Sequence, residues 1–137
     1  MDYICDCKKT VSIKAVIKKD GKILMVKNTH GVYDLPGGRM RCGESMYDTL
    51  AREVKEEIGW EVVRMSDAPV LAFSWEYKDG RSHGIVIAYE VETKEISLKS
   101  GDMDIVDIEW VDPKSIDSLH MPPAWKEAYL KAFCGVM

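Results

Sequence analysis

Residues 38–60 read GRMRCGESMYDTLAREVKEEIGW, and most of this stretch is predicted to form one helix. Apolar residues recur at every fourth position, which is the spacing of one helix face: Met46, Leu50, Val54 and Ile58. Ser45 precedes them as an N-cap residue, and Asp48 three positions later completes a capping box. Gly59 stands where helices commonly end on a glycine. The pattern predicts a helix over residues 46–58.

Three glutamates of this helix lie where helix energetics disfavour them. On a helical wheel Glu57 falls inside the apolar stripe, Glu53 at its edge and Glu56 further out. Like-charged neighbours and the negative end of the helix dipole together cost on the order of 1–3 kcal/mol. A divalent cation would offset this cost, because Mg²⁺ and Mn²⁺ prefer hard oxygen ligands. On these residues alone, a solvated acidic face is the alternative interpretation.

The same stretch carries a longer motif. From Gly38 the chain runs through five residues to Glu44, and through seven more to REVKEEIGW, which begins at Arg52. This resembles the Nudix box, G-x5-E-x7-R-E-U-x-E-E-x-G-U with U apolar, and no position departs from it. Its seven fixed letters would coincide by chance on the order of once in 10⁸ starts. The preceding Asp34-Leu35-Pro36-Gly37 also resembles the family's lead-in to the box.

The resemblance implies a fold, a reaction and a site. The fold is an α/β/α sandwich around a mixed β-sheet. The reaction is hydrolysis of a pyrophosphate bond in a nucleoside diphosphate linked to a group X, with Mg²⁺ or Mn²⁺ as cofactor. Arg52 would orient the glutamates, whereas Glu44, near the helix start, is interpreted as structural. The metal ligands would be the helix glutamates and the carbonyl of the glycine before the box, here Glu53, Glu56, Glu57 and Gly37.

Further contacts are predicted outside the helix. Many members of the family add an acidic residue from a loop before a tryptophan; Asp104, six residues before Trp110, fits best, and Asp102 is second. An exposed acidic turn is the alternative. Arg39 and Lys27 are candidate phosphate contacts, with plain surface charge as the alternative. The proton of the attacking water would pass to one of the helix glutamates or to Asp104, and this choice stays open.

The rest of the chain reads as strands joined by short turns, with a second helix near its end. Strands are predicted over residues 11–18, 23–26, 70–77, 85–91 and 105–111. On the first of these, Ser12, Lys14 and Lys18 are expected on the outward face. Asp20-Gly21 and Asp79-Gly80 are hairpin turns, residues 31–43 read as irregular, a helical turn covers 112–119, and the last helix follows Pro122-Pro123.

This order of elements indicates an α+β fold with a mixed sheet and helices on its faces, in one domain over residues 1–137. Several aromatic residues are candidates for stacking on a base, with a place in the core as the alternative: Tyr33, Phe73, Trp75, Tyr77 and Trp125.

Charge and hydropathy restrict the partners. The chain carries 19 Lys and Arg against 23 Asp and Glu, a net charge of -4, which argues against long nucleic acid. The longest apolar run, residues 85–89, is too short to cross a membrane. The start of the chain lacks the basic and apolar regions of a signal peptide, so a cytoplasmic location is expected. Its four cysteines are expected to be reduced thiols. A homodimer is left open.

The leading hypothesis is therefore a small metal-dependent pyrophosphohydrolase of MutT-like type, with a nucleoside triphosphate cleaved to monophosphate and pyrophosphate as its first candidate reaction. Cleavage of a sugar nucleotide or a dinucleoside polyphosphate is a second enzymatic reading. A nucleotide-binding Nudix module without turnover and an isopentenyl diphosphate isomerase are the rivals from other classes.

Overall fold

The computed structural model describes residues 8–95 and 103–135. The strands are β1 (Lys8–Val16), β2 (Lys18–Lys19), β3 (Lys22–Asn28), β4 (Tyr33–Asp34), β5 (Gly37–Arg39), β6 (Glu61–Met65), β7 (Leu71–Glu76), β8 (Ser82–Lys94) and β9 (Ile105–Val111). The helices are α1 (Met46–Ile58) and α2 (Pro123–Cys134), and a 3-10 helix covers Pro113–Ser118. No helix within these described ranges is long and apolar enough to span a membrane.

The strands form two sheets. In the five-stranded sheet β1 pairs with β8 in parallel and with β5 in antiparallel orientation, while β6 and β7 both pair with β8. The four-stranded sheet is antiparallel and is built on β3, which pairs with β2, β4 and β9. The predicted hairpin turns at Asp20-Gly21 and Asp79-Gly80 are both present.

The second half of strand β1, residues 13–16, is buried on both of its faces, and this defines the layers. Ile13 and Ala15 belong to the core cluster that contains the apolar face of α1, whereas Val16 belongs to the cluster that contains Tyr129 of α2. The two helices therefore cover opposite faces of the mixed sheet. The predicted α+β fold, with a mixed sheet between helices, is confirmed.

Helix α1 begins and ends at the predicted residues because its caps are local. The Ser45 hydroxyl accepts a hydrogen bond from Asp48 N at 3.0 Å, and the Asp48 carboxylate accepts one from Ser45 N at 3.0 Å. Gly59 closes the helix with φ 73°, and its N–H donates to Lys55 O at 3.0 Å. A left-handed conformation of this kind suits glycine, which has no Cβ to clash.

Three sequence-based predictions of local structure need correction. Strand β6 was not predicted, because a bulge between Val62 and Arg64 breaks its alternation and leaves Val62 as its buried residue. The segment 31–43, predicted as irregular, contains the short strands β4 and β5. Lys14, expected on the outward face of its strand, is 9% exposed, because both faces of β1 are covered.

Replacing Ser45 by alanine should lower the free energy of unfolding by about 1 kcal/mol, because the N–H of Asp48 loses its acceptor at the start of α1. Chemical denaturation monitored by circular dichroism measures the change. Ser45→Thr, which keeps a hydroxyl acceptor, is the matched control and should lose about half as much or less. Equal stability of wild type and Ser45→Ala would contradict the assigned cap.

Candidate active site

The site is centred on Glu57, whose carboxylate points into the protein as the helical wheel predicts. Its side chain is 6% exposed, and its Oε1 accepts a hydrogen bond of 2.6 Å from the backbone N–H of Gly37. Burial raises the pKa of Glu57 to about 7, although attraction by Lys14 and the Gly37 hydrogen bond oppose the shift. A half-protonated carboxyl near neutral pH is a common feature of functional sites.

Arg52 holds the next glutamate of the helix. Its Nη1 donates to Glu53 Oε1 at 2.7 Å, while its Nε donates to Glu44 Oε2 at 2.6 Å and its Nη2 to the carbonyl of Arg39 at 3.0 Å. The hydrogen bonds from Arg52 lower the pKa of Glu44 to about 2, so that carboxylate stays ionised. This clamp fixes Glu53, and it agrees with the structural interpretation of Glu44. Glu56 lies closer to solvent, with its carboxylate 3.5 Å from Arg52 Nη1.

Two glycines allow β5 to pass close to α1 and β1. Gly37 has φ 140°, and a Cβ built on it would lie 2.1 Å from the carbonyl oxygen of Ile13. A Cβ on Gly38 would lie 2.6 Å from the carboxylate of Glu53. Only glycine leaves room for both contacts, and the close approach brings the Gly37 backbone to Glu57.

Lys14 belongs to the site, and the sequence reasoning missed it. Its Nζ lies 2.9 Å from Asp34 Oδ2 and donates to the Gly37 carbonyl at 3.3 Å. Burial alone would lower the pKa of Lys14, but attraction by Asp34 and Glu57 outweighs it and the pKa lies above its ordinary value. The ammonium is therefore a permanent charge among these carboxylates. The sequence feature that could have indicated this is a lysine inside the apolar run 13–17, because a central strand has no solvent-exposed face.

Asp34 is fixed by α2 as well as by Lys14. Its Oδ1 accepts hydrogen bonds from Tyr129 OH at 2.6 Å and from the N–H of Leu35 at 2.7 Å. Burial and the neighbouring Asp34 raise the pKa of Tyr129, so its hydroxyl remains a donor. A series of polar contacts thus connects α2 to the segment that precedes α1; it runs from Tyr129 through Asp34 and Lys14 to Gly37.

A cavity of about 230 Å³ opens beside these groups. Glu57, Lys14 and Asp34 line it together with two aromatic walls, Tyr33 and Trp125. Trp125 in turn packs against two of the other predicted stacking residues, with ring centroids 5.4 Å from Phe73 and 4.8 Å from Trp75. A larger hollow of about 440 Å³ lies between β7 and α2, but none of the predicted metal-binding residues line it.

Other predicted site residues do not line this cavity. Arg39 is exposed, and its Nη2 donates to Tyr77 OH at 3.0 Å. The Lys27 ammonium lies 5.6 Å from the centroid of the Tyr33 ring, outside the cavity lining. Asp104 is exposed and precedes Ile105, which lines the cavity. Asp102 lies outside the described residues. The roles assigned to these residues stay predictions.

The donor set at this site has the chemistry that Mg²⁺ and Mn²⁺ prefer. Carboxylate oxygens of Glu53 and Glu57 and the Gly37 carbonyl are hard ligands. The Lys14 ammonium already lies at that carbonyl, which shows that positive charge is stabilised there. Within residues 8–95 and 103–135, no three acidic, histidine or cysteine side chains are already gathered as a metal cluster. The carboxylates of Glu53 and Glu56 point towards Arg52 instead.

Comparison with known proteins identifies the family of this chain. The model of the NUDIX domain family matches residues 8–133. An ADP-ribose pyrophosphatase of Methanocaldococcus jannaschii is 32% identical over 113 residues, which are 80% of this chain and 65% of that protein. An uncharacterized Nudix hydrolase of Bacillus subtilis, YvcI, is 31% identical over 79% of this chain and 69% of its own length. The chain therefore spans somewhat less than two thirds of the archaeal relative.

Solved structures share the fold. The E. coli ORF135 protein superimposes with a TM-score of 0.80 at 21% identity, covering 98% of this chain and 94% of its own. The MutT protein of Methanosarcina mazei gives a TM-score of 0.77 at 22% identity, covering 94% of this chain and 95% of its own. The arrangement of two helices around a mixed sheet, with acidic residues at the end of the first helix, defines a Nudix-type domain. The chain belongs to the Nudix family, as its box predicts.

The stability of the metal-free protein should fall as pH rises from about 4.5 to 7. The folded state binds the Glu57 proton more tightly than the unfolded chain, so ionisation above pH 7 costs roughly 1–3 kcal/mol. Glu57→Gln should be more stable than wild type by this amount at pH 8 and nearly equal at pH 4. Denaturation in EDTA at both pH values measures it, with the exposed Glu61→Gln as control. A Glu57→Gln variant that gains nothing at pH 8 would contradict this burial cost.

The two glycines of β5 should respond differently to alanine. Gly37→Ala should lower the free energy of unfolding by about 2 kcal/mol or more, because its Cβ would meet rigid backbone at positive φ. Gly38→Ala meets the movable end of Glu53, so it should reduce Mg²⁺ affinity while costing about 1 kcal/mol or less. Thermal melts and titration calorimetry distinguish the two. Equal loss of stability in both variants would refute the assignment.

Proposed function

We propose that the protein is a metal-dependent pyrophosphohydrolase that cleaves a nucleoside diphosphate linked to a group X. The observation that carries this proposal is the buried Glu57, which accepts from the Gly37 N–H and lines a cavity with aromatic walls, while the Glu53 carboxylate lies against Gly38 of the same strand. Carboxylates held near a backbone carbonyl suit divalent cations, and the cavity suits one planar group. The net charge of -4 favours a polyphosphate that arrives with its cation bound.

Glu53, Glu56, Glu57 and the Gly37 carbonyl would hold the metal. A divalent ion held there would neutralise phosphate charge and lower the pKa of a water molecule. Arg52 keeps Glu53 in place through its hydrogen bond of 2.7 Å. Glu57 is suited either to bind the ion or to accept the proton of water, because its pKa near 7 lies close to working pH. Asp104 and Glu56 remain alternative proton acceptors.

The first candidate substrate is a nucleoside triphosphate, cleaved to monophosphate and pyrophosphate. The cavity of about 230 Å³ accommodates a single base more readily than a dinucleotide. A nucleotide sugar is the second candidate, because the archaeal relative is named an ADP-ribose pyrophosphatase. Arg39 and Lys27 are proposed to contact phosphate oxygens. A small nucleotide in the cytoplasm, rather than long nucleic acid, is the partner this proposal requires.

The test is a panel of nucleoside triphosphates, nucleotide sugars and dinucleoside polyphosphates with Mg²⁺ or Mn²⁺, with products separated by ion-exchange chromatography. Release of pyrophosphate with a monophosphate indicates the first candidate, and a sugar phosphate with a monophosphate indicates the second. Glu53→Gln should reduce kcat by about 10²- to 10⁴-fold. Glu61→Gln, an exposed glutamate of β6, is the control and should retain full activity.

A wild type that hydrolyses no member of the panel, while Glu53→Gln binds nucleotides equally well, would overturn the enzymatic proposal. It would favour a nucleotide-binding module without turnover. EDTA gives an independent check, because chelation should abolish hydrolysis and restored Mg²⁺ should recover it.

A further inference from the structure

The acidic side chains that line the cavity beside Glu57 already have partners within the protein. Both carboxylate oxygens of Asp34 are already used: Oδ1 accepts from Leu35 N and Tyr129 OH, and Oδ2 lies 2.9 Å from Lys14 Nζ. Glu57 Oε1 accepts from Gly37 N, and this carboxylate belongs to the proposed metal site. The acidic groups that line the cavity are therefore committed to protein partners or to the cation.

Lys14 and Asn28 supply the donors. An ammonium has three N–H groups, and Lys14 directs one to Asp34 and one to the Gly37 carbonyl, which leaves a third. Asn28 Oδ1 accepts from the backbone N–H groups of His30 at 2.9 Å and Val32 at 3.0 Å. This pairing fixes which end of the amide is oxygen, so its NH2 group is the end that remains to donate.

The walls of the cavity suit a flat ring. Tyr33 and Trp125 contribute aromatic rings to its lining, and Lys14 and Asn28 contribute polar groups to the same lining. Trp125 is held from behind by Phe73 and Trp75, so its ring is fixed. Aromatic faces bind any base, but edge donors distinguish one base from another.

We propose that Lys14 and Asn28 are specificity-determining residues that select a nucleobase presenting a carbonyl oxygen over one presenting an exocyclic amino group. A carbonyl oxygen would accept from the donors, whereas an amino group would place N–H against N–H and leave these donors unpaired. The inference rests on the proposed function, since it concerns the base of the nucleotide that the site would cleave.

The experiment compares two pairs of triphosphates whose bases differ at this edge. ITP and ATP differ in an oxygen or an amino group at position 6, and UTP and CTP differ likewise at position 4. The proposal is tested on whichever of these two pairs of triphosphates the wild-type protein hydrolyses faster. Within it, the oxo base should have a kcat/KM higher by about tenfold or more, as expected for hydrogen bonds to a charged donor.

Two variants assign the preference to residues. Asn28→Asp keeps the oxygen that binds His30 and Val32 but replaces the NH2 group by a second oxygen, so the oxo-to-amino ratio should fall below one. Lys14→Met should lower the ratio towards one, because only the Asn28 donor remains. Lys18→Met removes a half-exposed lysine outside the cavity lining and is the matched control, with an unchanged ratio. Melting temperatures identify any unfolded variant, and Asn28→Asp decides if Lys14→Met fails to fold.

Equal kcat/KM for oxo and amino bases, or an Asn28→Asp ratio equal to that of wild type, would overturn the selection proposal while hydrolysis itself stands. If no nucleotide is hydrolysed, the proposed function fails separately. The selection proposal is then tested by calorimetry in EDTA, which compares the affinity for IMP with that for AMP and the affinity for UMP with that for CMP. Tighter binding of an oxo base that Asn28→Asp abolishes supports the selection, and equal or absent binding overturns it.

Discussion

The buried carboxylate of Glu57 is the constraint on which the site depends. It lies on the buried face of α1 together with Leu50 and Val54, so the helix cannot pack without bringing the charge inside. Its burial is tolerated because β5 presents the Gly37 N–H at 2.6 Å and β1 presents the ammonium of Lys14 nearby. The pairing of β1 with β5 is therefore as necessary to the site as the helix itself.

Both helices are coupled to the site through the mixed sheet. Tyr129 of α2 binds Asp34, Asp34 pairs with Lys14, and Lys14 binds the carbonyl of Gly37, whose N–H binds Glu57 of α1. Each link is a buried or half-buried polar contact that would be costly to leave unmade. The packing of α2 therefore positions groups at the end of α1, although the two helices lie on opposite faces.

Features with local causes were predictable from sequence, and those that depend on distant contacts were not. The bounds of α1 follow from Ser45 and Gly59, and the wheel alone placed Glu57 inside. The role of Lys14 depends on how β1 pairs. An alternating pattern predicts one solvent-exposed face, but β8 and β5 flank this strand and both helices cover it. The cavity combines residues from four strands and both helices, so no local pattern indicates it.

The two cations at the site, Arg52 and Lys14, leave the negative charge of Glu57 only partly balanced. Arg52 binds Glu44 and Glu53 from the outer side of α1, and Lys14 makes its direct ion pair with Asp34. Glu57 receives a backbone N–H and a more distant attraction, and its pKa near 7 shows that this does not compensate for burial. A fold selected for stability alone would place an apolar residue here. A buried carboxylate kept at this cost is what the proposed site for a divalent cation and a polyphosphate would require.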